Sequence, residues 1–375
     1  MEKILQPLAD IKVIEFCQIA AGPFAGMLLA DMGADVIKVE SPEGDGMRGW
    51  PPHTQGYSEN FASLNRNKRS VVLNLKQAAD VAAARKLCLS ADVVLENFRP
   101  GVMQRLGLGY ESLAAAKPGL VYCSISAFGQ EGPRSQEGGF DVTLQAVGGV
   151  MSVTGEPGGA PVKCGVPLTD FAAGLYAAYA IAAALRGGQG ARIDVPMLGT
   201  TLAIAALQTS EHFGTGRDPQ KLGSAHPRNA PYQAFACKDG YYVMAAGNND
   251  LYRRACEGIG RPDLVADPRF ASTALRAQNQ AALREIWEAE CAKWTADECL
   301  DIMRRQGVPC APINTYSQAL ADPQVTHYGW VQPLELPGGA RTRSFVSPLG
   351  KGEPVRRRPP ALGEHTVEVL KEISG

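Results

Sequence analysis

Residues 11–40 read IKVIEFCQIAAGPFAGMLLADMGADVIKVE. The β-branched run Ile11–Phe16 reads as a strand, Ala20-Ala21-Gly22-Pro23 as a turn, Phe24 to Met32 as a helix stopped by Gly33, and Asp35–Glu40 as a second strand. A strand, a crossover helix and a second strand make a βαβ unit, which places the two strands side by side and parallel. The rhythm returns with strands expected at Ser70–Leu75, Asp92–Leu95 and Leu120–Ile125. The chain is therefore α/β, with a large domain built on a Rossmann-like parallel sheet. In such sheets ligands lie beyond the carboxyl ends of the strands, here the turns after Phe16, Glu40, Leu95 and Ile125.

Working outward, DFAAGLYAAYAIAAAL (170–185) is alanine-rich and free of proline, a helix that Gly187-Gly188 should end, with Asp170 at its start. After about residue 205 the pattern changes. Tyr232–Val243 reads as two strands joined at Lys238-Asp239-Gly240, and 275–306 reads as helical, so 206–325 is expected to be a linker and a smaller α+β domain. The Pro- and Gly-rich tail over 330–363 is long for a loop and is expected to wrap back over the first domain or a partner chain.

Composition narrows the function. The 375 residues are 45% hydrophobic with a net charge of −1, enough apolar material for a large core and no field that would gather nucleic acid or anionic lipid. Arg356-Arg357-Arg358 is the one dense basic run and reads as a solvated loop. Nine scattered cysteines without a C-x-x-C pair argue against a disulfide framework or a zinc site. Met1–Asp10 has no leader pattern, and no apolar run is expected to reach the roughly 18 residues that span a bilayer. A cytoplasmic enzyme without nucleic-acid or membrane partners is the expectation. No G-x-G-x-x-G follows the first strand, and the Walker, G-x-S-x-G and H-E-x-x-H signatures are missing, which removes the main support for dehydrogenase, kinase, serine hydrolase and zincin readings.

The remaining motifs are specific in combination. AAGPFAGMLLADMGADVIKVE (20–40), GDGMRGW (44–50), NRNKRSVVLNLK (65–76), ENFRPGVMQRLGLGY (96–110), SAFGQEGP (126–133), GGFDVTLQAVGGVMSVTG (138–155) and PLTDFAAGLYAAYAIAAAL (167–185) follow one another in order. Together they resemble the class III CoA-transferase family, of the formyl-CoA and carnitine CoA-transferase type. NRNKRS (65–70), GSAHPRNAPYQAF (223–235), KDGYYVMAAGNND (238–250) and QGVPCAPIN (306–314) look most like its succinyl-CoA:glutarate, dicarboxylate-using branch.

The resemblance implies that Asp170 attacks an acyl-CoA carbonyl, so that CoA passes between acids through a mixed anhydride and an aspartyl thioester. Acyl-CoA and small carboxylic acids are then the substrates, and no cofactor is permanently bound. A carboxylate at the head of a helix is equally what capping and the macrodipole favour. Ile19, Ala20, Leu73, Lys76, Asn97, Phe98, Arg105 and Phe140 map onto the family's CoA contacts. Lys76 and Arg105 are the natural phosphate partners, and Gly138, Gly139, Gly148 and Gly149 are candidate oxyanion donors.

Phe140 stands where the related α-methylacyl-CoA racemases carry histidine. Without a second base, transfer is favoured over racemisation, the alternative on this fold. A non-catalytic CoA-binding module is the alternative from another class. For an acceptor's second carboxylate, Arg48, Trp50, Arg66, His226 and Arg228 are candidates, His226 reading equally well as a structural histidine before proline. The family also implies an interlocked-ring homodimer whose large domain, 1–205, is completed by 326–375.

Overall fold

The computed structural model describes residues 6–374, so residues 1–5 of the N-terminal reading and Gly375 of the tail lie outside the described part. By contacts the chain divides into two units. One holds the chain up to Val150, Lys163–Arg217 and everything from Asp322; the other holds Met151–Val162 and Asp218–Ala321.

In the first unit six strands form one sheet: β1 (Lys12–Phe16), β2 (Asp35–Glu40), β3 (Lys68–Val72), β4 (Val93–Glu96), β5 (Val121–Ser126) and β6 (Ala191–Pro196). Their order is β3-β2-β1-β4-β5-β6 and every pairing is parallel. The direction of winding reverses between β1 and β4, so a crevice opens beyond their carboxyl ends. The central strands are buried on both faces, which is why they read as continuous apolar runs. β6 was not legible as a strand: at the sheet's edge, Ala191-Arg192-Ile193-Asp194 alternates half-buried with exposed residues.

The helices that matter here are α1 (Ala21–Asp31), α2 (Ala78–Ser90), α3 (Asp141–Val147), α4 (Leu168–Gly187), α5 (Met197–Ile204) and α6 (Ala206–Thr215). α4 ends at Gly188, whose φ of +68° closes the helix in the left-handed region. One face of α4 packs on α1 so closely that a Cβ on Gly174 would lie 2.7 Å from the Ala21 carbonyl oxygen. At 20 residues α4 is long and apolar enough to cross a membrane, which corrects the expectation that no run reaches that length. Alanines flanked by leucine and isoleucine supply that character. The opposite face leaves Leu175 and Tyr179 exposed.

The tail lies with the first unit and carries structure of its own. Val331–Glu335 and Arg341–Phe345 pair as an antiparallel hairpin. Beyond it the chain covers the free edge of β3, where His365 N donates to Ser70 O at 2.9 Å, Ser70 N to His365 Nδ1 at 3.2 Å and Val72 N to Thr366 Oγ1 at 3.0 Å. Burial lowers the His365 pKa and so favours the neutral imidazole that this contact needs.

The second unit carries β7 (Tyr232–Cys237), β8 (Gly240–Ala245) and β9 (Cys310–Pro312) in the antiparallel order β9-β8-β7. Helices Asn249–Gly258, Gln280–Cys291 and Ala296–Arg305 enclose a core of Phe235, Tyr242, Trp287 and Met303. All nine cysteines are free thiols.

Candidate active site

The crevice beyond β1 and β4 is a cleft of about 260 Å³, lined by Gln18–Ala21 after β1, Asn97–Pro100 after β4, Ile125–Ala127 at the end of β5, Glu137–Phe140, Asp170 and Met197. Asp170 is the third residue of α4 and faces this cleft, while its neighbour Phe171 packs against Phe24 of α1, ring centres 4.7 Å apart and planes tilted by 49°, and fixes the helix's rotation.

Capping does not occupy the Asp170 carboxylate. The N-cap residue is Pro167, and the first-turn amide of Thr169 donates instead to Asp141 Oδ1 at 2.9 Å, joined by the Thr169 hydroxyl at 2.9 Å. Asp141 Oδ2 accepts from Gln145 Nε2 at 2.7 Å, and Gln145 Oε1 accepts from Cys164 N at 2.8 Å. A neighbouring carboxylate thus serves the helix end, and no hydrogen bond or ion pair reaches the Asp170 carboxylate among the described residues. Burial pushes its pKa up from 3.8 to about 7, with the charge of Asp141 adding to the shift. A desolvated carboxylate without donors is poorly stabilised as an anion, and nucleophilic for that reason.

The walls are fixed from both sides. Asn97 brackets the turn after β1, accepting from Gln18 N and donating to Gln18 O, both at 2.9 Å. Glu96, buried under the cleft, accepts from Phe98 N at 2.9 Å, and burial pushes its pKa up to about 7. Gly139 has to be glycine, since a Cβ there would lie 2.3 Å from Leu144 and 2.8 Å from Ala127. Among the described residues the Gly138 and Gly139 N–H groups have no acceptor, and both glycines line the cleft.

Of the residues expected from sequence, Asp170, Ile19, Ala20, Asn97, Phe98 and Phe140 come together here, Phe140 strongly exposed at the rim. Leu73 and Lys76 line an adjoining cleft of about 320 Å³ that shares Gln18 and Phe98 with the first. Arg105 stands exposed at the end of the short helix Val102–Arg105, whose Val102 lines that second cleft. Gly148 and Gly149 do not line the Asp170 cleft; a Cβ on Gly148 would lie 2.5 Å from Thr201, so it serves packing.

Arg48 and Arg66 have charges already matched, Arg48 by Glu40 at 2.7 Å and Arg66 by Asp31 at 2.6 Å, and neither lines the Asp170 cleft. Trp50 is 46% exposed, its carbonyl accepting from Ser58 Oγ. His226 and Arg228 belong to the second unit, where His226 Nδ1 accepts from the amides of Arg228 and Asn229 at 3.1 Å. Sequence reading missed Asp141, Glu96 and Arg99. Arg99 lines the cleft beside Gly138, is exposed, and has no ion pair among the described residues. Its place directly after the β4 carboxyl end was the available signal.

Residues 8–366 match the family model for CoA-transferase family III. The chain is 41% identical to a succinate–glutarate CoA-transferase of Agrobacterium fabrum, over 98% of this chain and 96% of that protein. It is 37% identical to the succinyl-CoA:glutarate CoA-transferase of Homo sapiens, over 98% and 86%. A crystal structure of a CAIB/BAIF family protein from Brucella suis superposes with a TM-score of 0.85 at 37% identity, covering 98% of this chain and 99% of that one.

Proposed function

The chain belongs to CoA-transferase family III and is an enzyme that transfers CoA; from that premise we propose that Asp170 is the nucleophile that carries it. The observation behind this reading is the Asp170 carboxylate, free of hydrogen-bond partners among the described residues in the cleft where the sheet's winding reverses, with Asp141 serving the helix end in its place.

The carboxylate attacks the thioester carbonyl; a C–O bond forms, the C–S bond breaks, and CoA leaves as thiolate. The thiolate attacks the Asp170 carbonyl of the mixed anhydride, forming aspartyl-CoA and freeing the donor acid. The acceptor's carboxylate attacks that thioester and releases the thiolate again, which takes the acceptor's acyl group and regenerates Asp170. Each step exchanges one acyl bond for another. The Gly138 and Gly139 N–H groups are the donors we assign to the transient oxyanions.

CoA takes the adjoining cleft, with Lys76 as a phosphate partner and Ile19, Ala20, Leu73, Asn97, Phe98, Arg105 and Phe140 along its path. Arg99, without an ion pair among the described residues, lines the Asp170 cleft and holds an anionic group of CoA or of the acid. The matched charges of Arg48 and Arg66 weigh against their use for substrate. The donor is succinyl-CoA and the acceptor a dicarboxylate of the glutarate class, in keeping with the similar enzymes. Residues 1–205 with 326–375 form the CoA-binding and catalytic domain. The active form is an interlocked homodimer, a reading supported by apolar residues left exposed on α4 and α6, Tyr179, Leu207 and Phe213 among them.

The test is mass spectrometry of the Asp170 peptide after incubation with succinyl-CoA alone. A covalent adduct in the wild type and its loss with turnover in Asp170→Ala are expected. No adduct, with undiminished turnover in Asp170→Ala, refutes the assignment.

A further inference from the structure

The turn that forms one wall of the Asp170 cleft is held in a backbone state its sequence disfavours. Ile19 is β-branched and has a φ of +67°, in the left-handed region where its side chain crowds the backbone. Something outside the turn has to hold it there.

The holder is a buried carboxylate. Asp45 accepts from Ile19 N at 3.1 Å and from Met47 N at 3.0 Å, and its other oxygen is 2.9 Å from the Lys38 ammonium. Lys38 also donates to Cys17 O at 2.6 Å, at the start of the same turn, and pairs with Glu15 at 3.2 Å. Glu15 lies directly beside Lys38 in the β1–β2 register and is shared with Lys68 at 2.8 Å. Glu15, Lys38, Lys68 and Asp45 are all buried, two charges of each sign. Such a group is costly to desolvate and weak evidence of stability, so its worth has to be sought in what it holds in place.

Asp45 is itself held. Its N–H donates to Glu40 Oε2 at 3.0 Å, and Glu40 is gripped by Arg48 at 2.7 Å and Ser70 at 2.6 Å. Both of these reach the C-terminal segment: Arg48 Nη1 donates to Pro360 O at 3.1 Å, and Ser70 Oγ accepts from Gly363 N at 2.9 Å. An unbroken chain of hydrogen bonds runs from residues 360–363 to the Ile19 amide.

We propose that Asp45 is a positioning residue for CoA binding, holding Ile19 left-handed so that the turn after β1 keeps the cleft wall in shape, with Arg48 and Glu40 relaying the hold of the C-terminal segment. This rests on the reading that CoA binds along Ile19 and Ala20. It gives Arg48 a role that leaves its charge matched.

Ile19→Gly supplies the discriminating background, because glycine adopts a positive φ without strain and no longer needs to be held. Free CoA is the binding probe, by calorimetry, with KM and kcat for succinyl-CoA alongside. Asp45→Ala in otherwise wild-type protein is expected to weaken CoA binding about tenfold, the scale on which backbone strain operates, and to raise KM with kcat little changed. Combined with Ile19→Gly, the loss should fall below about twofold. Arg48→Leu leaves the Glu15, Lys38, Lys68 and Asp45 group intact, unpairing only Glu40, which keeps Ser70 and the Asp45 N–H as donors; it should show the same pattern at about threefold, so it carries the cycle if Asp45→Ala does not fold. Equal losses in both backgrounds, or no loss in either variant, overturn the inference while leaving Asp170's role standing. Failure of the wild type to bind CoA overturns the functional reading, and this inference with it.

Discussion

Asp170→Asn should make the protein more stable at pH 8, by an amount that shrinks as the pH falls. Asp170 titrates at about 7 in the fold and near 3.8 when exposed, so the folded state holds its proton more tightly than the unfolded one. Its contribution is full only below about pH 3.8, where both states are protonated; it is lost progressively as pH rises and is gone above about 7. The gap corresponds to about 4 kcal/mol at 1.36 kcal/mol per tenfold change in binding. Asp170 faces an open cleft, and screening by water reduces this to about 1–2 kcal/mol. Asparagine keeps the shape and carries no charge in either state, so it escapes this cost. Thermal melts followed by circular dichroism should place the variant about 1–3 °C above wild type at pH 8, and about a third of that at pH 5. A variant no more stable at pH 8, or a difference that does not narrow at pH 5, would refute the claim that an unsatisfied charge is stored at this position.

Asp141→Asn removes the charge that adds to the Asp170 shift, so the acid limb of the rate profile should move to lower pH; an unmoved limb in kcat against pH would deny the coupling. Lys38→Met leaves Glu15 and Asp45 buried without their shared cation and should cost about 3–5 kcal/mol in urea denaturation. Gly174→Val pushes a side chain into the Ala21 carbonyl across the α1–α4 contact and should cost at least about 1–3 kcal/mol, read in the same experiment. Arg99→Met should raise KM for succinyl-CoA or for the acceptor acid about tenfold; unchanged values for both would remove Arg99 from the site.

The sequence by itself determined the parallel sheet, because strands buried on both faces must be written as unbroken apolar runs, and it marked Asp170 at the head of an alanine-rich helix. It held no sign of β6, an edge strand with one face in water, or of the tail's hairpin, and it sent the tail back over the first domain or a partner without marking the seal on β3, whose partners lie some 300 residues apart in the chain. Only the tertiary structure decided what each charge is for. Asp141 and Asp170 look alike in sequence, yet one caps α4 and the other faces the cleft without a donor. Arg48 and Arg66 looked available, yet Glu40 and Asp31 match them. A charge's role depends on which partners the fold brings within about 3 Å and on how much water it excludes, and neither is a property of local sequence.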